Sequence, residues 1–279
     1  MKTEITELGD TRDAEGFRLE RVWVETEHPV ALDSPDHLRP WGTAHDNSRN
    51  PLFNAKLYRL FGSTGGPLRV LDLGCSGGGA GQDCIDDGCI AVGVEGSDYS
   101  LRMSRAAWPA LGGKFLFTAD ITRDFDVRAS WDGREERLAF DVITAWEVME
   151  HIPREAIAAV CGNVARHLRP GGLAIFSISP NEQEVDGARL HQTVECREWW
   201  LETFARNGLH SLPQYERYFN SQYIRGPKQD APGSFHVFLS VAPNKSPTPP
   251  RLTWRARLLD SWYGSPLFRV ARRLLVTAS

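Results

Sequence analysis

Val70-Leu-Asp-Leu-Gly-Cys-Ser-Gly-Gly-Gly-Ala-Gly81 is the stretch on which the fold turns. It reads as a short buried strand that runs straight into a glycine-rich turn and then a helix. Glycines let the backbone turn sharply and let a ligand come close to main-chain N–H groups. Asp72 stands just before them, and open α/β sheets bind their ligands along that strand edge. Such turns also serve dinucleotides and phosphates, so the rest of the chain has to decide.

Working outward, Ala91-Val-Gly-Val-Glu95 reads as a second strand ending in an acid, with Glu95 23 residues after Asp72. That is close to the spacing of about 20 expected of an acid that holds ribose hydroxyls. Phe115-Leu-Phe-Thr-Ala-Asp120 ends in another acid. Phe140-Asp-Val-Ile-Thr-Ala145 runs into Trp146-Glu-Val-Met-Glu-His151, and Leu168-Arg-Pro-Gly-Gly172 leads into Leu173-Ala-Ile-Phe-Ser-Ile178. Helices are expected between the strands, near 79–88, 98–108, 153–168 and 196–207, which implies a parallel, right-handed wound sheet. Late strands are expected near 172–178, 214–219 and 234–241. A dinucleotide dehydrogenase would want G-x-G-x-x-G, whereas here Gly74 is followed by Gly77, Gly78 and Gly79.

The series from about residue 65 to 240 resembles the class I S-adenosylmethionine-dependent methyltransferases. The block Glu147-Val-Met-Glu-His151 is most similar to the E-x-x-E-H motif of the ubiquinone-pathway O-methyltransferases, and the small-RNA 3′-terminal 2′-O-methyltransferases share it. One departure is visible: Ser76 replaces the middle glycine of the usual G-x-G-x-G turn. The resemblance implies an α/β, Rossmann-like, doubly wound and mostly parallel seven-stranded sheet with an antiparallel last strand. It also implies S-adenosyl-L-methionine as cofactor. The N–H groups around Gly74, Ser76 and Gly78, with Cys75 in the same turn, would meet its carboxylate, and Asp72 would help orient its ammonium. Glu95, beside Gly96, would accept from the ribose hydroxyls. Asp120 would accept from the adenine amine, Ile121 would pack on the ring, and Trp146 completes the cofactor set.

Glu147, Glu150 and His151 follow the fourth strand, where the resembled families place the acceptor. On a helical turn these positions, i, i+3 and i+4, would share a face. Two carboxylates and an imidazole can hold Mg²⁺ or another divalent cation such as Zn²⁺. His191 is a further candidate ligand, because the small-RNA methyltransferases draw a later histidine from the corresponding loop. The metal set is then Glu147, Glu150, His151 and His191. A metal-free site with His151 as general base and Glu147 on the substrate is the second reading, and a purely structural cluster is the third. Tyr215 to Tyr223 are expected to wall the acceptor pocket. The activity implied is O-methylation of a hydroxyl on a sugar, glycan or other small diol-bearing molecule. N-methylation of a small molecule and a non-catalytic cofactor-binding protein of the same fold are the alternatives.

With 279 residues, the chain can hold one large α/β domain and a modest addition. Residues 1–48 form an N-terminal extension with a possible strand over Phe17–Val24, 49–243 the methyltransferase domain, 244–250 a proline-rich linker and 251–279 a tail. A helix is expected to start at Asn50-Pro51. A net charge of −4 offers no general attraction for nucleic acid, which is not expected as a partner. The tail holds six arginines against one aspartate among leucines and tryptophans, and would suit a helix pair packed on its own domain, an anionic membrane surface or a partner protein. Five cysteines without metal-ligand spacing, and a polar N-terminus, lead us to expect a cytoplasmic setting, peripheral at the inner membrane face if the tail binds there.

Overall fold

The computed structural model describes residues 11–62, 66–255 and 258. Strand β1 (Leu19–Thr26) is followed by two short helices, α1 (Pro35–Leu38) and α2 (Trp41–His45), and by α3 (Pro51–Phe61). Next come β2 (Arg69–Leu73), α4 (Gly79–Asp86), β3 (Ile90–Glu95), α5 (Tyr99–Arg102), α6 (Trp108–Leu111) and β4 (Leu116–Thr118). A hairpin of β5 (Phe125–Trp131) and β6 (Arg134–Arg137) precedes β7 (Phe140–Trp146), α7 (Ile157–His167) and β8 (Leu168–Ile178). The chain ends through β9 (Glu184–Val185), β10 (Ala188–Arg189), α8 (Arg197–Arg206), β11 (His210–Ser211), α9 (Gln214–Phe219) and β12 (Phe235–Ser240).

Seven strands form one sheet in the order β11-β12-β8-β7-β2-β3-β4. β2 pairs in parallel with β3 and β7, β3 with β4, and β7 with β8, while β12 runs antiparallel to β8. This is the expected mostly parallel sheet with an antiparallel last strand. β2, β3 and β7 are buried along their whole length, as strands covered on both faces must be. Successive residues feed opposite layers: Leu71, Val92 and Ile143 join one apolar cluster, and Val70, Ala91 and Val142 the other. The wind reverses at β2, which has β3 on one side and β7 on the other, so a crevice opens beyond the tips of these strands.

Helix α3 starts where expected. The Asn50 carboxamide oxygen accepts from the N–H groups of Leu52 (3.1 Å) and Phe53 (3.4 Å), and Pro51 occupies the first turn.

Four features differ from the sequence reading. β5 and β6 form an antiparallel hairpin that pairs with β1, two residues later in the chain than expected. Its turn, Asp132-Gly133, takes φ of 45° and 79°, the left-handed pair that a tight hairpin needs. The helix expected over 98–108 is split into α5 and α6, because Ser104 and Ala106 adopt φ of 49° and 50°. The stretch 214–219 is a helix and not a strand. Its aromatic content suggests β structure, but Tyr215, Tyr218 and Phe219 are buried at helical spacing on one face. Tyr215, Tyr218, Phe219 and Tyr223 therefore belong to the core around Phe53 and do not wall the crevice.

Among the described residues no helix is long and apolar enough to cross a membrane. Most of the basic tail, residues 256–257 and 259–279, lies outside the described residues.

Candidate active site

The strand tips border a cavity of about 1290 Å³. Gly74, Ser76, Glu95, Gly96, Asp120, Ile121 and Trp146, all expected at the cofactor, line it together. Asp72, Cys75 and Gly78 do not. Cys75 packs toward Gly93, where an added Cβ would lie 2.7 Å from its sulfur. Gly78 makes the turn possible: its φ is +78°, and a Cβ would meet Leu116 Cδ1 at 2.5 Å.

Asp72 is buried just behind the loop, and its Oδ1 accepts from the Thr144 hydroxyl at 2.6 Å. Burial pushes its pKa up to about 7, the nearby Asp46 and Glu95 add to the rise, and Thr144 opposes it. The folded state thus binds this proton more tightly than the unfolded chain does. That stabilisation is full below about pH 4 and is lost as pH rises through about 7. Asp72→Asn is expected to raise the melting temperature of the unliganded protein by about 5 °C at pH 8 and not at all near pH 4. Calorimetric scans at the two pH values check the sign.

The carboxylate of Glu95 accepts from Ser76 N–H at 2.7 Å and from Ser97 N–H at 3.2 Å. Burial raises its pKa, and these backbone bonds work against the rise. Asp120 Oδ1 accepts from the N–H (2.9 Å) and hydroxyl (2.6 Å) of Thr122. Ser76, the departure from the glycine pattern, has φ of 47°. Its hydroxyl lies 2.9 Å from the Asp46 carbonyl and 3.1 Å from that of Thr43, so it ties the loop to α2.

That tie is part of a larger arrangement. The segment 28–46 roofs the cavity, with Ala31, Asp36, Thr43 and Asp46 in its lining. Ala31 N–H donates to the Gly96 carbonyl at 2.9 Å, and Arg105 Nε to the Ala44 carbonyl at 2.8 Å. His45 also lines the cavity, from an exposed position. The sequence reading assigned this strap no element and did not single out Asp36.

On the other side of the cavity, Glu150, His151 and His191 come together, with candidate ligand atoms within 4.8 Å of one another. Glu147 does not join them. The expected helical face is not formed: Glu147 has φ of 56° at the end of β7, and only Met149–His151 make a 3₁₀ turn. Glu147 is instead held by its N–H on the Ser177 carbonyl (3.1 Å) and hydroxyl (3.0 Å), and its Oε2 accepts from Ser234 at 2.7 Å. The loop carrying His191 is docked by Gln192 and Thr193, whose N–H groups donate to the Glu150 carbonyl at 2.7 and 3.0 Å.

Glu150 Oε1 accepts from Ser179 N–H at 2.9 Å. Burial pushes its carboxyl up to about 8, with Glu147 adding to the rise. Burial opposes the charging of His151, but the Asp36 carboxylate, with Glu150 and Glu147, outweighs it and the net shift is upward. His191 is lowered by burial and by His151.

Two features fit absent groups. Glu150 Oε2, Glu147 Oε1 and Trp146 Nε1 are buried without a hydrogen-bond partner among the described residues, a costly state that a bound group would relieve. His151 offsets the Glu150 charge only in part, since the carboxyl stays raised, and a divalent cation would complete the compensation. A carboxylate with two imidazoles suits a borderline cation such as Zn²⁺ better than Mg²⁺. The glycine loop and Glu95 likewise fit an adenosyl group, since Gly74, Ser76 and Glu95 line the cavity together; Gly74 itself, with φ of +71°, has no room for a Cβ, which would lie 2.5 Å from Val148 Cγ2.

A methyltransferase-domain family profile matches residues 45–225, most of the chain. The protein belongs to this family of methyltransferase domains. A ubiquinone biosynthesis O-methyltransferase of Idiomarina loihiensis is 30% identical over 113 residues, which cover 39% of this chain and 41% of that one. Another, of Neisseria meningitidis serogroup C, is 31% identical over 150 residues, 53% of this chain and 57% of that one. The chain thus spans about half the length of the curated relatives it matches. The crystal structure of an S-adenosylmethionine-dependent methyltransferase from Clostridium acetobutylicum is similar with a TM-score of 0.50 at 14% identity, covering 74% of this chain and 95% of that one. At that identity the likeness is one of fold.

Proposed function

We propose that the protein is an S-adenosylmethionine-dependent O-methyltransferase. Its acceptor carries neighbouring hydroxyls, as a sugar, a glycan or a small aromatic diol does, and its acceptor site uses a divalent cation. One observation supports this most: the strand-tip residues Gly74, Glu95 and Asp120 share one cavity with His151 and His191. The names of the relatives favour oxygen as the receiving atom.

S-adenosylmethionine supplies an activated methyl group on a sulfonium. Glu95 accepts from its ribose hydroxyls, Asp120 from its adenine amine, and Ile121 covers the ring. Glu150, His151 and His191 hold the cation. Glu147 Oε1 accepts from an acceptor hydroxyl, and the strap over 28–46 keeps water out while the reacting groups are held together.

Calorimetry with S-adenosylhomocysteine is the first test, and micromolar affinity is expected. Turnover of catechol with Zn²⁺ or Mn²⁺, against the same reaction with a chelator, is the second, and the chelator is expected to stop it. No binding in the first experiment removes the methyl-transfer reading. Turnover untouched by the chelator removes the cation, and methylation of amine probes alone replaces oxygen with nitrogen.

A further inference from the structure

Among the described residues, nine carboxyl groups and two guanidinium groups line the cavity. The whole chain carries 36 acids against 32 lysines and arginines, so its acidic excess is gathered at this one place. Part of it serves the donor, through Glu95 and Asp120. Much of the rest stands at the acceptor end, where three segments bring their acids together. Asn181 Nδ2 donates to the Pro232 carbonyl at 2.9 Å, and this joins the segment of Glu182 to that of Asp230. Both acids are exposed and both line the cavity. A little further along the chain, Ser234 donates to Glu147 Oε2 at 2.7 Å. The exposed acids thus lead inward to Glu147, whose Oε1 has no partner among the described residues. Trp146 Nε1, on a side chain only 9% exposed, has none either.

Positive charge is scarce at this end. Arg123 belongs to the donor end, where its N–H donates to the Asp120 carbonyl at 3.1 Å. Arg225 is already turned to Asp46 Oδ1, at 3.4 Å. Arg189 reaches Glu182 only at 3.9 Å, between side chains 56% and 80% exposed, where solvent screens the pair. No lysine is among the described lining residues. Recognition of a carboxylate or a phosphate depends on such groups, and an anion entering here would give up hydration to face like charge. A divalent cation and the donor sulfonium together carry fewer positive charges than this excess of acids, so the field stays negative with both in place. A cleft lined by one sign of charge concentrates ligands of the other sign.

We infer that the acceptor is cationic: a hydroxyl compound that also bears a protonated amine, as an amino sugar does, with its hydroxyl at Glu147 and its ammonium near Glu182 and Asp230. Acceptors that bear a carboxylate or a phosphate are turned away. The inference rests on the functional reading above for the place where the hydroxyl reacts, and it adds the charge of the molecule that carries that hydroxyl.

Three catechols of similar size isolate the charge: dopamine, 4-ethylcatechol and 3,4-dihydroxyphenylacetate. At pH 7.5 and low salt, kcat/KM for O-methylation is expected to fall about tenfold from the first to the second and about tenfold again to the third. Salt at 0.5 M should compress the series, because these charges are exposed. The double variant Glu182→Gln, Asp230→Asn is expected to remove most of the dopamine advantage over 4-ethylcatechol. Both positions are exposed, and asparagine tolerates the φ of 61° at position 230, so the variant should fold. Calorimetric binding of the same three compounds in the presence of S-adenosylhomocysteine decides without turnover. Equal or tighter binding of 3,4-dihydroxyphenylacetate, no binding of dopamine, or an unchanged preference in the double variant overturns the inference. Turnover of all three without preference overturns the inference and leaves the functional reading standing. Preferential binding of dopamine without methyl transfer supports the inference and overturns the functional reading.

Discussion

Glu95→Ala weakens S-adenosylhomocysteine binding by at least about 100-fold: this is the result expected from the geometry at the tip of β3. A buried carboxylate that accepts from two hydroxyls makes charge-assisted bonds worth roughly 1.5–3 kcal/mol each. Losing two such bonds removes about 3 kcal/mol or more, which is 100-fold or more in affinity. The unliganded protein should barely notice. Removing Glu95 relieves a buried carboxyl whose pKa is raised by desolvation, but it leaves the N–H groups of Ser76 and Ser97 without their acceptor. The two effects oppose one another, so the melting temperature should move by only a few degrees. Glu95→Gln retains one accepting oxygen and should lose about tenfold. Calorimetric affinities for the three proteins check the series. Affinity within threefold of native in Glu95→Ala would show that the adenosyl group lies elsewhere.

How far the sequence could be read depends on how local each cause is. β2, β3 and β7 were legible because a strand buried on both faces is a short continuous apolar run. Gly74 and Glu95, at the tips of β2 and β3, were legible for the same reason, since a strand tip needs only the strand, and Asp120 stands just past the short β4. The hairpin β5–β6 had its signal in Asp132-Gly133, flanked by the alternating Phe125-Asp-Val-Arg-Ala-Ser-Trp131, and that signal went unused. The break between α5 and α6 had one local signal, Pro109 in the first turn of α6. Ala107 N–H donates to the Gly77 carbonyl at 3.0 Å, and Arg105 is pulled to the carbonyls of α2 and its flank, so tertiary partners override helical propensity there.

The acceptor side was harder, because its members are assembled across long separations. Glu150, His151 and His191 were named from the sequence, yet the geometry that unites them is a 3₁₀ turn with a docked loop, not the helix face assumed. Glu147 was misplaced by that assumption. Asp36 lies 115 residues before His151 in a segment with no periodicity. Nothing local distinguishes it from the neighbouring Asp33, and only the folded strap brings it to the imidazole.

His151→Ala is expected to lower kcat by about 10³–10⁴-fold while leaving the affinity for S-adenosylhomocysteine unchanged within about twofold. General-base assistance alone is worth about 10²–10⁴-fold. If His151 is instead a cation ligand, its loss from a set of three removes the group that polarises the acceptor oxygen. Donor affinity should survive because Glu95, Asp120 and the glycine loop meet His151 only across the cavity. The companion His191→Ala separates the two chemistries. If the imidazoles hold a cation, both variants lose Zn²⁺ affinity and turnover together. If His151 works alone as a base, His191→Ala keeps most of its turnover and added imidazole partly restores His151→Ala. The cluster favours the first pattern, because His151 and His191 stand edge to face at 4.6 Å beside a buried carboxylate with an unpartnered oxygen. An isolated base would gain nothing from that second ring. Native-like turnover in His151→Ala would remove this end of the cavity from the reaction altogether.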